Sequence, residues 1–425
     1  MVHVLVVGGG GREHALVWKL AQSPKVTRIS VAPGNAGTAS IARNVDIDAT
    51  DVVSLIDFAE RERVDLVVIG PEEPLALGLV DQFQAVGIRV FGPRRDAALI
   101  ESSKSYAKEL MIRYGVPTAP YEVVTDLDSA MDYLYSHRFD EMVIKADGLA
   151  RGKGVFLPAG ESDAEGILRS LLEREALGMA GRRVVLEKRL VGEELSVMAF
   201  TDGQTLALMP PVHDYKRLYD HDLGPNTGGM GSYAPARLFA PDQVETVCRD
   251  IIEPVLAGLQ AGGQPFAGVI YVGLVITANG PYALELNARL GDPSAQVVLP
   301  LLATDLLEVM DACVDGHLDE VEVRWHSGTA VTTVLATAGY PERSDPGLPI
   351  RLAPVLPESV LLFHAGTRRA ADGRLVTTGG RVLDVTATGP DLPAAVARVY
   401  DGVQRIHFDG AHYRTDIGQR AATGV

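Results

Sequence analysis

The chain has 425 residues, of which 47% are hydrophobic and 22% charged, which fits roughly two to four folded domains and excludes a coiled-coil, collagen-like or disordered protein. Its net charge of −16 argues against a general nucleic-acid or membrane-surface binder, but it leaves room for a local basic pocket that binds a phosphorylated small molecule. The two cysteines, Cys248 and Cys313, are too few for a disulfide framework or a structural zinc site, so we expect reduced, buried thiols.

The N-terminal segment and the hydropathy pattern bear on location. Residues 2–7 are apolar, but no basic segment precedes them and they lead directly into four glycines, so a signal peptide is not expected. No run reaches the ~18 apolar residues needed to span a bilayer. We therefore expect a cytoplasmic protein.

The first hundred residues alternate between predicted strands and predicted helices. Strands are predicted at 4–7, 28–31, 65–69 and 89–91, and helices at 13–20, 52–60 and 75–85. This alternation indicates a parallel, doubly wound sheet. Every strand ends at glycine or proline, and ligands in such sheets bind outside the carboxyl ends of the strands, so we expect functional loops there.

The remaining chain reads as α+β and then mainly β. A helix at 102–114 precedes an α+β segment, from about 121 to 190, with strands at 142–146 and 184–187 and a helix near 164–175. Strands with long glycine-rich loops follow from 196 to 290, and then a helix at 299–314. Beyond about Ser327 we predict β segments at 329–336, 360–365, 375–378 and 381–388, and a closing helix at 394–406.

The first candidate site is the glycine run at 8–11, after the first strand. Backbone N–H groups of such a loop approach a phosphate or carboxylate at a helix N-terminus. It is not a dinucleotide fingerprint, because Glu13 or His14 stands where the third glycine belongs and no acidic residue ends the second strand. A tight turn without a ligand is the alternative, and Arg12 favours an anionic ligand.

The second candidate is the loop KADGLARGKGV at 145–155. Its spacing, with no Ser or Thr after Lys153, excludes a Walker A loop. It lies between apolar runs, which predicts a hairpin loop. Its three glycines and three cations favour a flap over a polyphosphate, and a solvated basic hairpin is the alternative.

The third candidate is the segment at 282–293. In an extended strand, residues two apart share a face, so Glu285, Asn287 and Arg289 would lie opposite Leu284 and Leu286. A carboxylate and an amide offer the hard oxygen ligands that Mg²⁺ prefers, and an arginine beside them binds a carboxylate or phosphate. The alternative is an exposed strand face with a salt bridge.

The fourth candidate joins the pentapeptide HDYKR at 213–217 to a polar, glycine-rich stretch at 222–233. A long loop of this kind within an ordered domain is usually functional or disordered, so a substrate lid and a solvated loop are both open. The scattered histidines predict no zinc site, and the absence of a Gly-x-Ser-x-Gly motif gives covalent hydrolase chemistry no support.

The motifs of the whole chain follow a known order. From the N-terminus they are GGGGREHA, PGNAGT, GPEEPLALG, FGP, ESSK, KADGLARGKGV, GEELS, GPNTGGMG, ELNARLGDP, HAGT and GGRVLDVTA. In order and spacing they resemble the phosphoribosylamine–glycine ligase (glycinamide ribonucleotide synthetase) family of ATP-grasp enzymes. The resemblance covers essentially the whole chain and is far more specific than any one glycine loop.

The resemblance implies a reaction and its partners. ATP would phosphorylate the carboxylate of glycine, and the amine of 5-phosphoribosylamine would attack the glycyl phosphate, giving glycinamide ribonucleotide, ADP and phosphate in purine biosynthesis. We therefore expect ATP with Mg²⁺ or Mn²⁺, two small-molecule substrates, no nucleic-acid or membrane partner, and a monomer.

It also implies a fold of α/β and α+β type. A Rossmann-like pre-ATP-grasp domain would span 1–101, and a two-part ATP-grasp domain would span 102–326, with a flap subdomain at about 121–190. A mainly β domain would span 327–425.

Roles for individual residues follow from the same resemblance. The ATP-contacting residues would be Lys104, Lys145, Gly148, Gly152, Lys153, Gly154, Glu187, Lys188, Leu190 and Glu194. In that set the lysines 104 and 145 face the phosphates, the 187–190 segment is the adenine hinge and Glu194 meets the ribose. The metal ligands would be Glu285 and Asn287.

The residues near the two acceptor substrates are implied in the same way. Those facing the acyl phosphate and the acceptors would be Arg289, Asp292, Asp214 and Lys216. Those on the phosphoribosylamine side would be Gly9, Gly10, Gly11, Arg12 and Asn35. For Arg289 the hypothesis is a grip on the glycine carboxylate, and the alternative is a structural pair with Asp292.

The chain departs from the family pattern at a few positions. Tyr215 stands where histidine is usual, Arg151 where alanine is common, and Ser294 where a carboxylate is usual, close to the metal strand. Two rival functions fit less well. A dehydrogenase would need the third glycine and the acidic residue, which this chain lacks. A non-catalytic nucleotide-binding protein would be expected to have lost one of Lys104, Lys145, Glu285 and Asn287, and all four are present.

Overall fold

The N-terminal region is a parallel sheet covered by helices. In the computed structural model, which describes residues 1–150, 152–236 and 241–423, its elements are β1 (Val2–Gly8), α1 (Gly11–Leu20), β2 (Val26–Pro33), β3 (Arg43–Asn44), α2 (Val52–Glu62), β4 (Leu66–Ile69), α3 (Glu72–Ala76), α4 (Leu79–Ala85) and β5 (Arg89–Phe91). The strands run parallel in the order β3-β2-β1-β4-β5. The doubly wound pattern predicted from the alternation is therefore confirmed.

One predicted helix of this region is wrong. The pattern at 75–85 predicted a single helix, but α3 and α4 are separate because Gly78 adopts the left-handed conformation, with φ +81°. Glycine adopts that conformation without the steric cost that other residues pay, so the chain changes direction there.

The next part is a small α+β unit built on an antiparallel sheet. Its elements are α5 (Leu99–Ser102), α6 (Lys104–Arg113), β6 (Tyr121–Val124), α7 (Leu127–Ser136), β7 (Met142–Ala146), β8 (Val155–Phe156), α8 (Glu161–Leu172) and β9 (Val184–Lys188). The strand order is β6-β9-β7-β8, and side chains of α7 and α8 pack on one face of the sheet in a core of their own. The predicted hairpin at 145–155 is confirmed, because β7 pairs with β8.

A second antiparallel sheet follows. The elements are β10 (Glu193–Thr201), β11 (Leu206–Leu208), β12 (His213–Asp214), β13 (Arg217–Tyr219), β14 (Leu223–Asn226), β15 (Gly231–Ala234), α9 (Pro241–Val247), α10 (Glu253–Ala261), β16 (Gly268–Thr277), β17 (Gly280–Asn287), α11 (Ala295–Leu301) and α12 (Leu306–Asp315). The order β11-β10-β16-β17 places β17 at one edge.

Two predictions for this part are wrong. The stretch at 222–233 is not a long loop, because β14 pairs with β13 and β15 pairs with β12. The predicted helix at 299–314 is two helices, α11 and α12. The chain turns extended at Leu302 after Pro300, and the Asp305 carboxylate then caps α12 by accepting from the Leu307 N–H at 2.9 Å.

The C-terminal region completes an antiparallel sheet. Its elements are β18 (Thr329–Ala336), β19 (Arg351–Leu352), β20 (Val360–His364), β21 (Thr367–Arg369), β22 (Leu375–Thr377), β23 (Arg381–Gly389), α13 (Leu392–Val403), β24 (Ile406–His407) and α14 (Gln419–Thr423). The order β12-β15-β18-β23-β20 joins strands from both sides of residue 327. The predicted fold class, α/β and α+β with a mainly β C-terminal part, is confirmed.

Within the described ranges, no helix has the length and apolar character needed to cross a membrane. The same part of the chain holds no group of three or more His, Cys, Asp or Glu side chains arranged to bind a metal ion. Both cysteines are free, and Cys313 is buried as predicted, whereas Cys248 is only half-buried.

Candidate active site

A cleft of about 1460 Å³ lies between the two antiparallel sheets and the hairpin β13–β14. The predicted site residues that line it are Arg12, Lys104, Lys145, Gly152, Gly154, Glu187, Lys188, Leu190, Glu194, Asp214, Lys216, Glu285, Asn287, Arg289 and Asp292. Residues separated by up to 280 positions in the sequence thus meet in one cavity.

Six predicted residues are not among those that line the cleft. They are Gly9, Gly10, Gly11, Asn35, Gly148 and Lys153. A Cβ on Gly148 would lie 2.8 Å from Cα of Ala180, so packing within the flap explains this glycine. Arg151, the flap cation that departs from the family pattern, lies outside the described residues.

The first glycine loop is bonded mainly within the protein. The Gly10 N–H and the Arg12 guanidinium both donate to the carboxylate of Glu13, each at 2.6 Å. The Asn35 amide donates to the Gly9 carbonyl at 3.0 Å and to the His364 carbonyl at 2.6 Å. Only Arg12 of this group reaches the cleft, and a contact with phosphoribosylamine stays a prediction for all five residues.

A buried carboxylate between two lysines forms one wall. Glu187 pairs with Lys145 and, at 2.5 Å, with Lys108. Burial raises the pKa of the Glu187 carboxyl, but the two ammonium groups outweigh it and the net shift is downward. Burial lowers the pKa of Lys108 to about 8.

Lys108 was missed in the sequence, although a signal was present. It lies four residues after Lys104 on α6, and residues at that spacing share a helix face. Lys104 contacts the start of the flap loop, where its Nζ lies 3.4 Å from the Gly148 carbonyl. Burial lowers the pKa of the Lys104 ammonium group. Three lysines therefore converge on the nucleotide side predicted for this cleft.

The predicted metal ligands lie in the same cleft, beside these lysines. Glu285 and Asn287 lie two residues apart on β17, and Lys216 Nζ is 3.2 Å from Glu285 Oε1. The Lys216 charge lowers the pKa of Glu285 to about 2, so this carboxylate is ionised at neutral pH. An ionised carboxylate with a nearby amide oxygen fits the ligand preference of Mg²⁺.

The simple face alternation predicted for this strand is wrong. Gly273 pairs with Glu285 and Leu274 pairs with Ala283, so Leu284 is an extra residue in a β-bulge. Bulges redirect side chains and are common beside active sites. Here Leu284 lines the cleft, and its carbonyl accepts from Lys145 Nζ at 3.1 Å.

Arg289 lies beyond the end of β17 and is held by two acidic side chains. Its guanidinium contacts Glu101 at 2.6 Å and Glu72 at 3.2 Å. The alternative predicted for Arg289 was a structural pair with Asp292. This is wrong, because Asp292 pairs with Arg381 at 3.2 Å and Arg289 pairs with the two glutamates. Both acidic partners belong to motifs quoted above, GPEEPLALG and ESSK, but neither had been singled out.

Asp214 is surrounded by hydroxyl groups. Its carboxylate accepts from the hydroxyl groups of Ser232 at 2.6 Å and Ser294 at 2.9 Å. The hydroxyl groups of Ser196 and Tyr271 lie 2.7 and 3.1 Å from it and 2.6 Å from each other, so one of these two donates to the other and only the second donates to Asp214. The hydroxyl of Ser294, where the family usually has a carboxylate, thus complements Asp214.

A second acidic pair lies where the C-terminal domain meets the glycine loop. The Gln296 amide donates to Asp292 at 2.8 Å and to Asp384 at 2.9 Å. Burial and the charge of Asp292 raise the pKa of Asp384, and Arg381 lowers it less. A Cβ on Gly11 would lie 1.8 Å from Asp384 Oδ2, so Gly11 is required for this packing.

We expect Asp384→Asn to change how stability depends on pH. The carboxyl group of an unfolded Asp has a pKa of about 3.9. Between that pKa and the raised pKa of the native state, Asp384 is protonated in the native protein and ionised in the unfolded chain. The stability of the wild type therefore falls as pH rises through the raised pKa. The variant lacks this loss. Thermal midpoints of both proteins between about pH 5.5 and pH 8.5 test it, with Asp409→Asn on the exposed surface as control. Parallel curves for wild type and Asp384→Asn would contradict it.

Comparisons with known proteins place the chain among relatives of full length. Family models described as phosphoribosylglycinamide synthetase match at 2–101 (N domain), 102–295 (ATP-grasp domain) and 330–420 (C domain). A phosphoribosylamine–glycine ligase of Xylella fastidiosa is 46% identical, over 98% of this chain and 98% of its own length. The chain belongs to the phosphoribosylglycinamide synthetase family. The resemblance identified in the sequence is confirmed.

Solved structures agree with this membership. The phosphoribosylamine–glycine ligase of Thermotoga maritima has a TM-score of 0.85 at 35% identity, covering 98% of this chain and all of that chain. A biotin carboxylase from Campylobacter jejuni shares the fold, with a TM-score of 0.72 at 15% identity, over 97% of this chain and 92% of that one. All three phosphoribosylglycinamide synthetase domains contribute to the cleft, through Arg12, Lys145 and Arg381 among others.

Proposed function

We propose that the cleft ligates glycine to 5-phosphoribosylamine at the expense of ATP, through glycyl phosphate, in de novo purine biosynthesis. The observation that supports this proposal is that cations and metal-ligand side chains meet in one cleft. Lys104 and Lys145 supply cations, and Glu285 with Asn287 supplies candidate metal ligands beside them. Phosphoryl transfer needs this combination, because catalysis there is positioning plus charge stabilisation.

ATP fits the lysine wall. The ammonium groups of Lys104 and Lys145 would bind its phosphates, and the strand β9 and the residues after it, including Lys188 and Leu190, would hold the adenine. Glu194 would meet the ribose. When Lys145 turns toward a phosphate, Lys108 keeps the Glu187 carboxylate paired, so the buried charge stays compensated.

Glu285 and Asn287 would hold Mg²⁺, or Mn²⁺ in its place. When bound, such an ion neutralises charge on the transferring phosphoryl group. Lys216 holds the Glu285 carboxylate ionised in advance, so the protein side of the metal site needs no deprotonation. The identity of the metal stays a prediction.

The acceptor side is formed by Arg289, Asp292, Asp214 and Lys216. Arg289 still has guanidinium N–H groups beyond those that contact its two glutamates, and these would hold the glycine carboxylate. Because hydroxyl donors already surround it, Asp214 would act through its negative charge, which favours a nearby substrate ammonium. The cytoplasmic location and the monomeric state stay predictions.

Omitting each substrate in turn tests the proposed reaction. ADP release is expected to require glycine, and glycinamide ribonucleotide is expected only when phosphoribosylamine is also present. Hydroxylamine added in place of phosphoribosylamine should trap the acyl phosphate as glycine hydroxamate. ADP release that is independent of glycine, or a failure to form the hydroxamate while product still forms with phosphoribosylamine, would contradict the proposal.

The flap is expected to be protected from proteolysis by ATP. Gly152, with φ +77°, approaches the backbone of Thr227 and Gly228 across the cleft, so a nucleotide beneath it should hold the 148–154 loop in place. Limited trypsin digestion with a non-hydrolysable ATP analogue measures this. Cleavage at exposed Arg138 serves as the internal reference, and an equal cleavage rate at Lys153 with and without the analogue would count against a flap.

A further inference from the structure

The C-terminal segment, residues 412–421, packs against the hairpin β13–β14 and reaches the cleft through Asp416, Arg420 and Ala421. Besides the bonds of Arg414, four of its contacts reach the hairpin directly. They are His412 Nε2 to the Leu218 carbonyl at 2.9 Å, the Thr415 N–H to Asp220 at 2.8 Å, the Thr415 hydroxyl to Asp220 at 2.5 Å, and the His221 N–H to Asp416 at 2.9 Å. Hydrogen bonds along its length therefore hold the segment against the hairpin.

Arg414 is the centre of this docking. Its side chain has no exposed surface, and it donates to Asp222 at 2.8 Å, to the Arg217 carbonyl at 3.2 Å, and to Asp416 through a fork at 2.7 and 2.8 Å. Its guanidinium also lies 4.7 Å from the ring centroid of Tyr215. A planar guanidinium that is both bonded and stacked has one fixed orientation.

The side chain of Tyr215 also contacts the C-terminal segment beyond Arg414. Its hydroxyl accepts from the Gly418 N–H at 2.9 Å, and burial raises the pKa of this hydroxyl to about 12. Its backbone is fixed as well, because the Tyr215 N–H donates to the Gly231 carbonyl at 2.9 Å and its carbonyl accepts from the Met230 N–H at 2.8 Å. Both ends of this residue are thus immobilised.

The neighbours of Tyr215 in the chain face the cleft. Asp214 and Lys216 line the cleft together with Tyr215, and Lys216 lies 3.2 Å from Glu285. Because Tyr215 is bonded at its hydroxyl, its N–H and its carbonyl, it restricts the backbone from which Asp214 and Lys216 project into the cleft.

We propose that Tyr215 and Arg414 are positioning residues, through which the C-terminal segment sets the placement of Asp214 and Lys216 against the acceptor substrate. The inference rests on the proposed function, since it takes those two residues to act there. It also explains the departure from the family's usual histidine, because the tyrosine hydroxyl bonds the segment at Gly418. A misplacement of about 1 Å remote from the chemistry can cost on the order of a hundredfold in rate.

Kinetics of purified variants test the proposal, with the variants Tyr215→Leu, Tyr215→Phe, Arg414→Leu, Lys216→Ala and Arg89→Leu. Arg89 matches Arg414 as a control, because it bridges two carboxylates, Asp311 and Asp315, at 2.7 Å each and remote from the cleft. We expect Tyr215→Leu and Arg414→Leu each to raise the glycine KM and lower kcat, with a combined loss of about tenfold or more. Tyr215→Phe keeps the ring under Arg414 and should recover most of that loss. Since KM does not depend on the folded fraction, a merely structural role would leave it unchanged.

The outcomes separate the two ideas. If Lys216→Ala is inactive while both folded Tyr215 variants match Arg89→Leu in glycine KM and kcat, the positioning role is wrong. If Lys216→Ala turns over like the wild type, the proposed role of the acceptor side is wrong. If Tyr215→Leu does not fold, Tyr215→Phe decides, and we expect it to keep a glycine KM between those of Arg89→Leu and Lys216→Ala. A Tyr215→Phe enzyme with the control's constants would then overturn the proposal.

Discussion

Glu285→Gln is expected to lower kcat by on the order of a hundredfold or more, as the loss of other preorganised electrostatic groups does. The substitution keeps the size and one oxygen of the side chain but removes the charge that would anchor the metal. It also leaves Lys216, now 3.2 Å from a neutral amide, without its nearest counter-ion. Steady-state ADP formation at saturating ATP and glycine measures the effect.

The control for this prediction is Glu308→Gln, on the exposed face of α12. It makes the same chemical change far from the cleft and should leave kcat unchanged. Raising the Mg²⁺ concentration adds a further check, because a weakened metal site should recover part of its activity. Turnover near that of the wild type in Glu285→Gln would remove this residue from the proposed metal site.

Arg289→Lys is expected to lower kcat/KM for glycine by about tenfold or more, while the KM for ATP stays nearly unchanged. A lysine keeps the charge but cannot present parallel N–H donors to a carboxylate. It also cannot bridge Glu72 and Glu101 as the guanidinium does, so the acceptor side loses both its donor and its support. Initial rates with each substrate varied in turn separate the two constants.

Arg89→Lys is the matched control, since Arg89 also bridges two carboxylates but lies outside the cleft. Both variants lose an arginine that bridges two carboxylates. A loss of thermal stability that both share therefore reflects only the broken bridge. A difference in glycine KM reports the substrate role. If Arg289→Lys raised the KM for ATP and the KM for glycine by the same factor, the proposed contact with the glycine carboxylate would be wrong.

Much of the fold followed from local patterns. The strands of the N-terminal sheet and the hairpin around the flap were predicted, because β-branched runs that end at glycine carry their own signal. The two wrong helices share one cause. Gly78 and the segment after Pro300 interrupt apolar patterns whose periodicity alone suggests continuous helices.

The site was predicted unevenly, and the reason is physical. Residues within motifs, such as Lys145 and Glu285, were selected from the motifs and the family resemblance, and both line the cleft. Partners such as Lys108, Glu101 and Arg414 were missed because their significance depends on contacts between distant segments. The bulge at Leu284 likewise depends on strand pairing, which no local pattern specifies.

The sheet shared across residue 327 has a consequence for how the gene product could be divided. Strand β15 pairs with β18 from Gly231 to Ala234, so a fragment that stopped before β18 would expose this strand as an unpaired edge. Exposed edges recruit other strands and promote aggregation. We expect the two halves to be insoluble when expressed singly and to recover a folded, active complex only when made together.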